Sequence, residues 1–466
     1  MTHVVQADYL VVGAGATGMA FTDALIDHAD VGVVLVDRRH AVGGHWLDAY
    51  PFVQLHQASS FYGVASTLLG GGRIQRNGPE AGLSERANRS EICAYYGQVL
   101  TDRMLASGRV EFAPASEYVG DRQVVSRISG RRFAVPADCR IVDARYLAPD
   151  IPAHTPPPFE VADGVHVIPV NDVPRLEEPP RELVIVGSGK TATDAIVWLL
   201  ARGVDPDRIC WVRPRDPWML NRAVVQPDPA IYTGMVADMM QAAAAGTSLE
   251  DVFLRLEDAG VMIRIDRSVT PTMARAPTLG VWELERLRSI ERVVRRGHIR
   301  RVDPGRITLD DGSVTMADDA VVVHCAASGL RNPPLLPVWS PSAITVQPVR
   351  AGFPCFGAAL IGYVEATRHD DTEKNRLCPP SRFGDTLADW AAMNVRGMRA
   401  SRSFGAEPDI KAWADGVPLN PARIPVEHQG TPEVVAALQR LQAQATPGVA
   451  RLAELGRLEA GATSAT

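Results

Sequence analysis

The chain has 466 residues, of which 46% are hydrophobic and 22% charged, and its formal net charge at pH 7 is -6. This length provides for two or three domains with sizeable cores, and the negative charge argues against a nucleic-acid partner. No apolar run reaches the roughly 20 residues that a membrane-spanning helix needs, and the first predicted strand begins at Tyr9, so we expect neither a signal peptide nor a membrane partner.

The cysteines are widely separated, and no two of them have the close spacing of a redox disulfide or a zinc-binding pair. The six are Cys93, Cys139, Cys210, Cys325, Cys355 and Cys378. We therefore expect free thiols, no metal site and a cytoplasmic location.

Residues 9–20 predict the first strand, turn and helix of a dinucleotide-binding unit. An apolar run leads into Gly13, Gly15 and Gly18, which have the spacing G-x-G-x-x-G, and the apolar residues then recur at helical intervals. The first glycine permits the tight turn, the second lets the backbone approach a pyrophosphate, and the third lets helix and strand pack closely. A second apolar run ends in Asp37, whose carboxylate can accept a hydrogen bond from a ribose. The alternative is a glycine-rich turn in another kind of α/β protein.

The residues after Asp37 carry a family resemblance. An acidic residue, an arginine and then Gly-Gly-His-Trp at 43–46 closely resembles the first domain of flavin-containing monooxygenases and Baeyer–Villiger monooxygenases. The resemblance implies that the dinucleotide is FAD. The residues that it implies at the FAD site are Arg38, Gly43, Gly44, His45 and Trp46.

The same resemblance places residues 54–63 beside the flavin ring. Within them, His56 is the side chain that can change charge near neutral pH, so it is a candidate for proton exchange. A structural histidine, hydrogen-bonded within a loop, is the alternative.

Further along, residues 84–105 predict a helix with Ser90 as its cap, and residues 110–142 predict a small β-meander.

Two proline-rich stretches, 149–158 and 174–180, are typical of linkers. Between them, Phe159, Gly164 and His166 resemble part of a monooxygenase fingerprint. The spacing departs from the fingerprint, and the aromatic-proline pair that ends it is absent. The monooxygenase subclass therefore stays open.

A second dinucleotide motif begins with the apolar residues 183–186, which are followed by Gly187, Gly189 and Ala192 and by a predicted helix. The Ser-Gly-Lys-Thr string at 188–191 is also found in nucleoside-triphosphate loops. Such a loop needs a glycine at position 184, where this chain has Val184, so we reject that alternative.

The strand after the second motif ends in Arg213-Pro-Arg215, whereas the first motif has Asp37 at the corresponding place. Guanidinium groups bind the 2′-phosphate of NADP, which a carboxylate would repel. We therefore predict NADPH at the second site, with Arg213 and Arg215 as the discriminating residues. Two solvated surface arginines are the alternative.

Residues 217–290 predict a helical insertion in this second domain, with helices over 230–244 and 249–259. Baeyer–Villiger enzymes use an arginine beyond the second motif to stabilise a flavin peroxide, and Arg222 is the candidate here.

Residues 353–366 resemble the helix whose N-terminus faces the flavin, with Gly357 and Ala358 allowing close backbone approach. The helix dipole would there stabilise negative charge on the reduced flavin.

Together these features predict an α/β fold with two Rossmann-like dinucleotide-binding domains, a helical insertion and a mostly helical C-terminal segment. The expected boundaries are 1–165 for the first part of the FAD domain, 166–324 for the NADPH domain, and 325–466 for the remainder.

The resemblance implies an NADPH-consuming monooxygenase that transfers one oxygen atom from O2 to a small molecule through a flavin C4a-(hydro)peroxide, with N- or S-oxygenation preferred. Two alternatives stay open: an NADPH:acceptor oxidoreductase or oxidase without oxygen insertion, and a non-catalytic flavoprotein redox sensor. The expected partners are the substrate and O2, and a homodimer is left open.

Overall fold

The computed structural model describes residues 3–327, 329–331 and 333–458. The α-helices, α1 to α11 in chain order, are Ala16–His28, Arg89–Gln98, Lys190–Ala201, Pro229–Ala245, Leu249–Asp258, Val281–Leu287, Pro354–Thr367, Asp371–Leu377, Leu387–Gly405, Pro408–Gly416 and Pro432–Leu455. The strands, β1 to β21, are His3–Val4, Tyr9–Val12, Val33–Val36, Val110–Ala113, Ser116–Tyr118, Gln123–Ser126, Arg132–Ala134, Arg140–Asp143, Glu160–Val161, His166–Pro169, Leu183–Val186, Ile209–Val212, Pro217–Asn221, Met262–Arg264, Met273–Leu279, Val293–Val294, Ile299–Asp303, Arg306–Leu309, Gly312–Thr315, Val321–His324 and Ile344–Thr345.

The first sheet has five parallel strands in the order β21-β8-β2-β3-β4. Strands β2 and β3 are apolar runs because both faces of a parallel sheet are covered. Helix α1 leaves the carboxyl end of β2 and packs closely against α7, where a Cβ on Gly362 would lie 2.4 Å from the Phe21 carbonyl oxygen. The last strand to join this sheet, β21, comes from a part of the chain that follows the whole second sheet.

The second sheet also has five parallel strands, in the order β10-β20-β11-β12-β16. Helix α3 leaves the carboxyl end of β11, as α1 leaves β2 in the first sheet. The strand that follows β11 in the chain, β12, lies on one side of it, and β20 lies on the other. The strand order therefore reverses between β11 and β20, and α/β proteins bind ligands at the carboxyl ends of strands at such a point.

Smaller sheets surround these two. Strands β5 to β7 form a meander, to which β1 adds, within the range 110–142 where one was predicted, but β4 and β8 at the ends of that range belong to the first parallel sheet. Strands β17 to β19 form a second meander, to which β9 adds. The insertion contains the three-stranded sheet β14-β13-β15 as well as α4, α5 and α6. That sheet was not predicted, because β13 and β15 are neighbours in space but far apart in sequence. Helices α8 to α11 form the C-terminal segment, and α11 packs on α4.

The predicted fold class is confirmed: the chain is an α/β protein with two parallel sheets, an insertion and a helical C-terminal segment. The helix predicted over 84–105 begins later, at Arg89, and ends in a π-helical turn at Val99–Met104. Its cap is Asn88, not Ser90, because the side chains of Asn88 and Glu91 each accept the other's backbone N–H. Within the described ranges, each helix is too short or too polar to cross a membrane.

Candidate cofactor-binding sites

The first glycine turn has the geometry predicted for it. Gly13 has a φ of +106°, which favours glycine, and a Cβ on Gly18 would lie 1.8 Å from the Gly13 carbonyl oxygen. Helix α1 begins at Ala16, and its N-cap residue, Gly15, has no side chain to bond the free N–H groups of the first turn. The turn therefore presents unpaired backbone donors at the positive end of a helix, which suits a phosphate.

The Gly-Gly loop lies directly on this turn. The Gly43 N–H donates to the Ala14 carbonyl oxygen at 2.9 Å, and a Cβ on Gly44 would lie 2.9 Å from the Gly15 Cα. A side chain at Gly44 would separate the two segments. The structure thus brings together two motifs that are about thirty residues apart in sequence. The close contact between Gly15 and Gly44 explains why neither position carries a larger side chain.

Asp37 lies at the end of β3 beside the turn, as the motif predicts. Its carboxylate accepts the backbone N–H groups of Ala14 and Arg39, each at 2.8 Å, and the side chain is largely buried. A carboxylate has about four acceptor positions, so two are used to hold the turn. The side chain of Arg38 points away from the core and is exposed.

His45 and Trp46 lie in a short 3-10 helix that follows the Gly-Gly pair. The Trp46 indole donates to the Tyr62 hydroxyl at 2.6 Å and is buried. Burial, together with the positive charge of Arg39, lowers the pKa of His45 to about 4. His45 is therefore a neutral imidazole at pH 7.

Helix α7 begins beside residues 54–63, the segment predicted to lie beside the flavin ring. Its N-cap residue, Phe353, makes no side-chain cap and contacts Phe61 edge to face at 5.2 Å between ring centroids. Gly357 does not offer a free N–H, since it donates to the Phe353 carbonyl at 3.1 Å. A Cβ there would lie 3.1 Å from the Val349 nitrogen, and Ala358 is fully buried. Both residues are small for packing within the protein, and their predicted close approach to the flavin stays a prediction.

The second glycine turn repeats the first. Gly187 has a φ of +132°, and Gly189 is the N-cap of α3, with open space where a Cβ would stand. Ala192 is fully buried under the turn. The Gly187 carbonyl accepts from the Trp211 indole at 2.7 Å, which holds the turn against β12.

The two arginines after β12 differ in exposure. Arg213 is 1% exposed, lies over the Trp211 ring and pairs with Asp216 at 2.9 Å. Burial lowers its pKa to about 10, and its Nε and Nη1 atoms find no hydrogen-bond partner among the described residues. Arg215 is partly exposed and pairs with Asp385 at 3.0 Å. Arg213 is therefore not a solvated surface residue.

A buried ionic network, which no sequence motif indicates, joins the second turn to Glu80 and to His56 in the segment 54–63. The Lys190 ammonium pairs with Asp194 and, at 3.2 Å, with Glu283. Glu283 also pairs with Arg222 at 2.6 Å, and Arg222 pairs with Glu80. The sequence signal was weak because Glu80 and Arg222 are separated by 142 residues. These contacts also engage Lys190, the lysine of the rejected nucleoside-triphosphate motif.

The structure brings the two catalytic candidates together within this network. The Arg222 Nε donates to the His56 carbonyl oxygen at 3.0 Å. Arg222 is 1% exposed, and both of its carboxylate partners are ionised neighbours, so it does not present a free cation. Burial and the positive charges of Lys190 and Arg222 lower the pKa of His56 to about 3. His56 is therefore neutral at pH 7 and cannot act there as an imidazolium proton donor.

Two parallel sheets, each with a glycine turn that opens into an uncapped helix, define a protein with paired dinucleotide-binding folds. No family model matches the chain. Over 419 residues it is 42% identical to an uncharacterized protein of Mycobacterium tuberculosis (strain ATCC 25618 / H37Rv), an alignment that covers 89% of this chain and 78% of that protein. An uncharacterized protein of Mycobacterium bovis matches with the same identity and coverage. The chain belongs to the same protein family as these mycobacterial proteins.

The chain is also similar to solved structures of monooxygenases. A cyclohexanone monooxygenase from Rhodococcus sp. Phi1 bound to NADP+ has a TM-score of 0.48 and 14% identity, over 96% of this chain and 99% of that one. A flavin monooxygenase mutant from Stenotrophomonas maltophilia has a TM-score of 0.43 and 15% identity, over 79% and 98%. These structures belong to the class that the sequence resembles.

Proposed function

We propose that this protein is an FAD-dependent, NADPH-consuming monooxygenase that inserts one oxygen atom from O2 into a small molecule by N- or S-oxygenation. The observation that carries the proposal is the pair of uncapped glycine turns, one at the carboxyl end of a central strand in each parallel sheet. When bound, FAD supplies hydride acceptance and reaction with oxygen, and NADPH supplies the hydride. We also propose the predicted division of the chain, with residues 166–324 as the NADPH domain between two parts of the FAD domain.

The first turn fits FAD because no side chain caps the first turn of α1. Gly13, Gly15 and Gly18 form the cradle, and Asp37 keeps two acceptor positions for a ribose. The Gly44 loop covers the turn, and buried Trp46 fixes that loop through Tyr62. Exposed Arg38, together with His45, completes the proposed site residues.

The second turn fits NADPH because open space adjoins Gly189 and because cationic groups follow β12. Arg215 offers a partly exposed guanidinium, and Arg213 has two donors without protein partners. Buried donors without partners are rare in proteins, so a phosphate oxygen is a chemically suitable acceptor for them. Gly187 and Ala192 position the start of α3 for the pyrophosphate.

The charges around Arg222 favour oxygenation of a nucleophilic nitrogen or sulfur over attack on a ketone. Ketone oxidation needs a cation free to stabilise a deprotonated oxygen species, and Glu80 and Glu283 already neutralise Arg222. We therefore assign to Arg222 and His56 a positioning part: they hold residues 54–63 against the second domain. Neutral His56 can still accept a hydrogen bond.

The test is oxygen stoichiometry. The purified yellow protein is supplied with NADPH, O2 and candidate amines, sulfides and ketones, and NADPH consumed, oxygenated product and H2O2 released are quantified. The proposal expects product close to one per NADPH for at least one amine or sulfide. Stoichiometric H2O2 with every substrate would favour the oxidoreductase or oxidase alternative. Failure of NADPH to bleach the bound flavin would favour the redox-sensor alternative.

A further inference from the structure

A cavity of about 210 Å³ lies between the segment 59–61 and the loop 417–425. Neither glycine turn lines it, but Ser59, Ser60 and Phe61 belong to residues 54–63, the segment predicted to lie beside the flavin ring. Phe61 forms part of its wall and also contacts Phe353 at the start of α7. The cavity therefore borders both the segment predicted to lie beside the flavin ring and the start of α7.

The walls of the cavity combine apolar and polar residues. Phe61 and Leu68 form one side, and Pro418, Pro421 and Pro425 contribute to the other. The prolines restrict the loop before any ligand binds, which lowers the entropic cost of binding. The Asn420 side chain holds the loop further, since its amide donates to the Ala414 carbonyl at 3.0 Å and accepts from the Ala422 N–H at 3.1 Å.

Two polar groups of the lining are buried without a hydrogen-bond partner among the described residues: the Ser60 hydroxyl and the Arg423 Nε. Buried polar groups are normally paired, and an unpaired one costs free energy. The neighbouring Ser59 hydroxyl, by contrast, donates to the Glu85 carbonyl oxygen and accepts from the Ala87 N–H. The unpaired donors therefore single out Ser60 and Arg423.

One acidic residue also lines the cavity, but its charge is already engaged. The Glu85 carboxylate accepts from the backbone N–H groups of Gly71 and Arg73 and from the Arg73 Nε at 2.9 Å. Burial alone would raise the pKa of Glu85, but these hydrogen bonds lower it below its ordinary value. Glu85 is thus an ionised group whose carboxylate is bound by residues 71–73.

We propose that this cavity binds a small monocarboxylate with an apolar body, such as an aromatic or branched aliphatic acid. The Arg423 guanidinium matches a carboxylate, which it can bind through two parallel hydrogen bonds. The Ser60 hydroxyl donates to the same carboxylate, and the proline and Phe61 walls contact the apolar body. The proposal goes beyond the proposed function, because it names a ligand for a cavity that neither glycine turn lines, and the binding of that ligand is measured without any reaction of the cofactors.

The test is calorimetric titration of the purified full-length holoprotein with benzoate, benzyl alcohol and inorganic phosphate. Benzyl alcohol has the ring without the charge, and phosphate has the charge without the ring. We expect benzoate to bind at least about tenfold more tightly than either, since both halves of the site contribute. Equal binding of benzyl alcohol, tighter binding of phosphate, or no binding of benzoate at millimolar concentration would overturn the proposal.

Variants then locate the site. Arg423→Met should weaken benzoate binding at least about tenfold, and Ser60→Ala should weaken it severalfold. Arg300→Met, which removes an exposed arginine of β17, is the charge-matched control and should leave binding unchanged. Arg423→Lys keeps the charge and gives a second measurement if the methionine variant does not fold. Unchanged benzoate binding in a folded Arg423 variant with normal flavin content would refute the site.

Discussion

The carboxylate of Glu283 lies at the centre of the buried network and offers a quantitative test of it. It pairs with Lys190 at 3.2 Å and Arg222 at 2.6 Å, and it accepts the Gly280 N–H at 2.7 Å. Burial alone would raise its pKa, but the two cations and this hydrogen bond lower the pKa from 4.5 to about 2. The folded state therefore binds the ionised form more tightly than the unfolded chain does.

This difference in pKa converts into a free energy of unfolding with a defined dependence on pH. Each pKa unit corresponds to about 1.4 kcal/mol, so the ionised Glu283 contributes roughly 3 kcal/mol at pH 7. Because its folded pKa is the lower one, the contribution is fully present well above pH 4.5 and is lost as the pH falls toward 2. Near pH 3 about half of it remains.

The substitution Glu283→Gln should therefore lower the free energy of unfolding by about 3 kcal/mol at pH 7, with a smaller loss at acid pH. Urea unfolding, followed by tryptophan fluorescence at several pH values from 7 to 3.5, measures both quantities. Glu285→Gln, which changes an exposed glutamate of the same helix α6, is the matched control and should change stability by less than about 0.5 kcal/mol. A loss below about 1 kcal/mol at pH 7, or a loss independent of pH, would refute the network's role.

Three further predictions concern the cofactor sites. Gly18→Ala should yield protein without bound FAD, because the added methyl group would lie 1.8 Å from a backbone oxygen. Gly97→Ala, with open space around it, is the control and should retain FAD. Flavin absorbance per protein measures both, and full flavin content in Gly18→Ala would contradict the geometry of the turn. Arg215→Gln should raise the KM for NADPH about tenfold and leave that for NADH unchanged, and an equal change for both would argue against 2′-phosphate recognition. The rate of flavin reduction should show no ionisation of His56 between pH 5 and 9, since its pKa is about 3; a transition near pH 6.5 that disappears in His56→Asn would refute its neutral state.

Local sequence patterns were sufficient for the two dinucleotide-binding units. Apolar runs, glycine spacing and helical periodicity are set by neighbouring residues, so β2, α1, β11 and α3 were all predictable. The helix predicted over 249–259 was predictable for the same reason, because its cap, Ser248, accepts the N–H of Asp251 only three positions away. Asn88 was missed as a cap because Ser90 has the same chemistry two residues later.

The sequence also placed His56 and Arg222 among the candidate residues, but it could not show their surroundings. Arg222 was predicted to stabilise a flavin peroxide, and the fold encloses it between Glu80 and Glu283. The fold packs Gly357 against the backbone near Val349. The partners of Arg222, by contrast, come from distant parts of the chain.

The sequence by itself thus determined the elements that depend on short-range geometry: two glycine turns, their strands and helices, and the residue types that follow them. Only the tertiary structure decided which charges are neutralised and which polar groups stay unpaired, including Ser60 and Arg423 around their cavity. The physical reason is that burial and electrostatic pairing depend on distances in space. Residues hundreds of positions apart, such as Ser60 and Arg423, come to line one cavity only when the whole chain is folded.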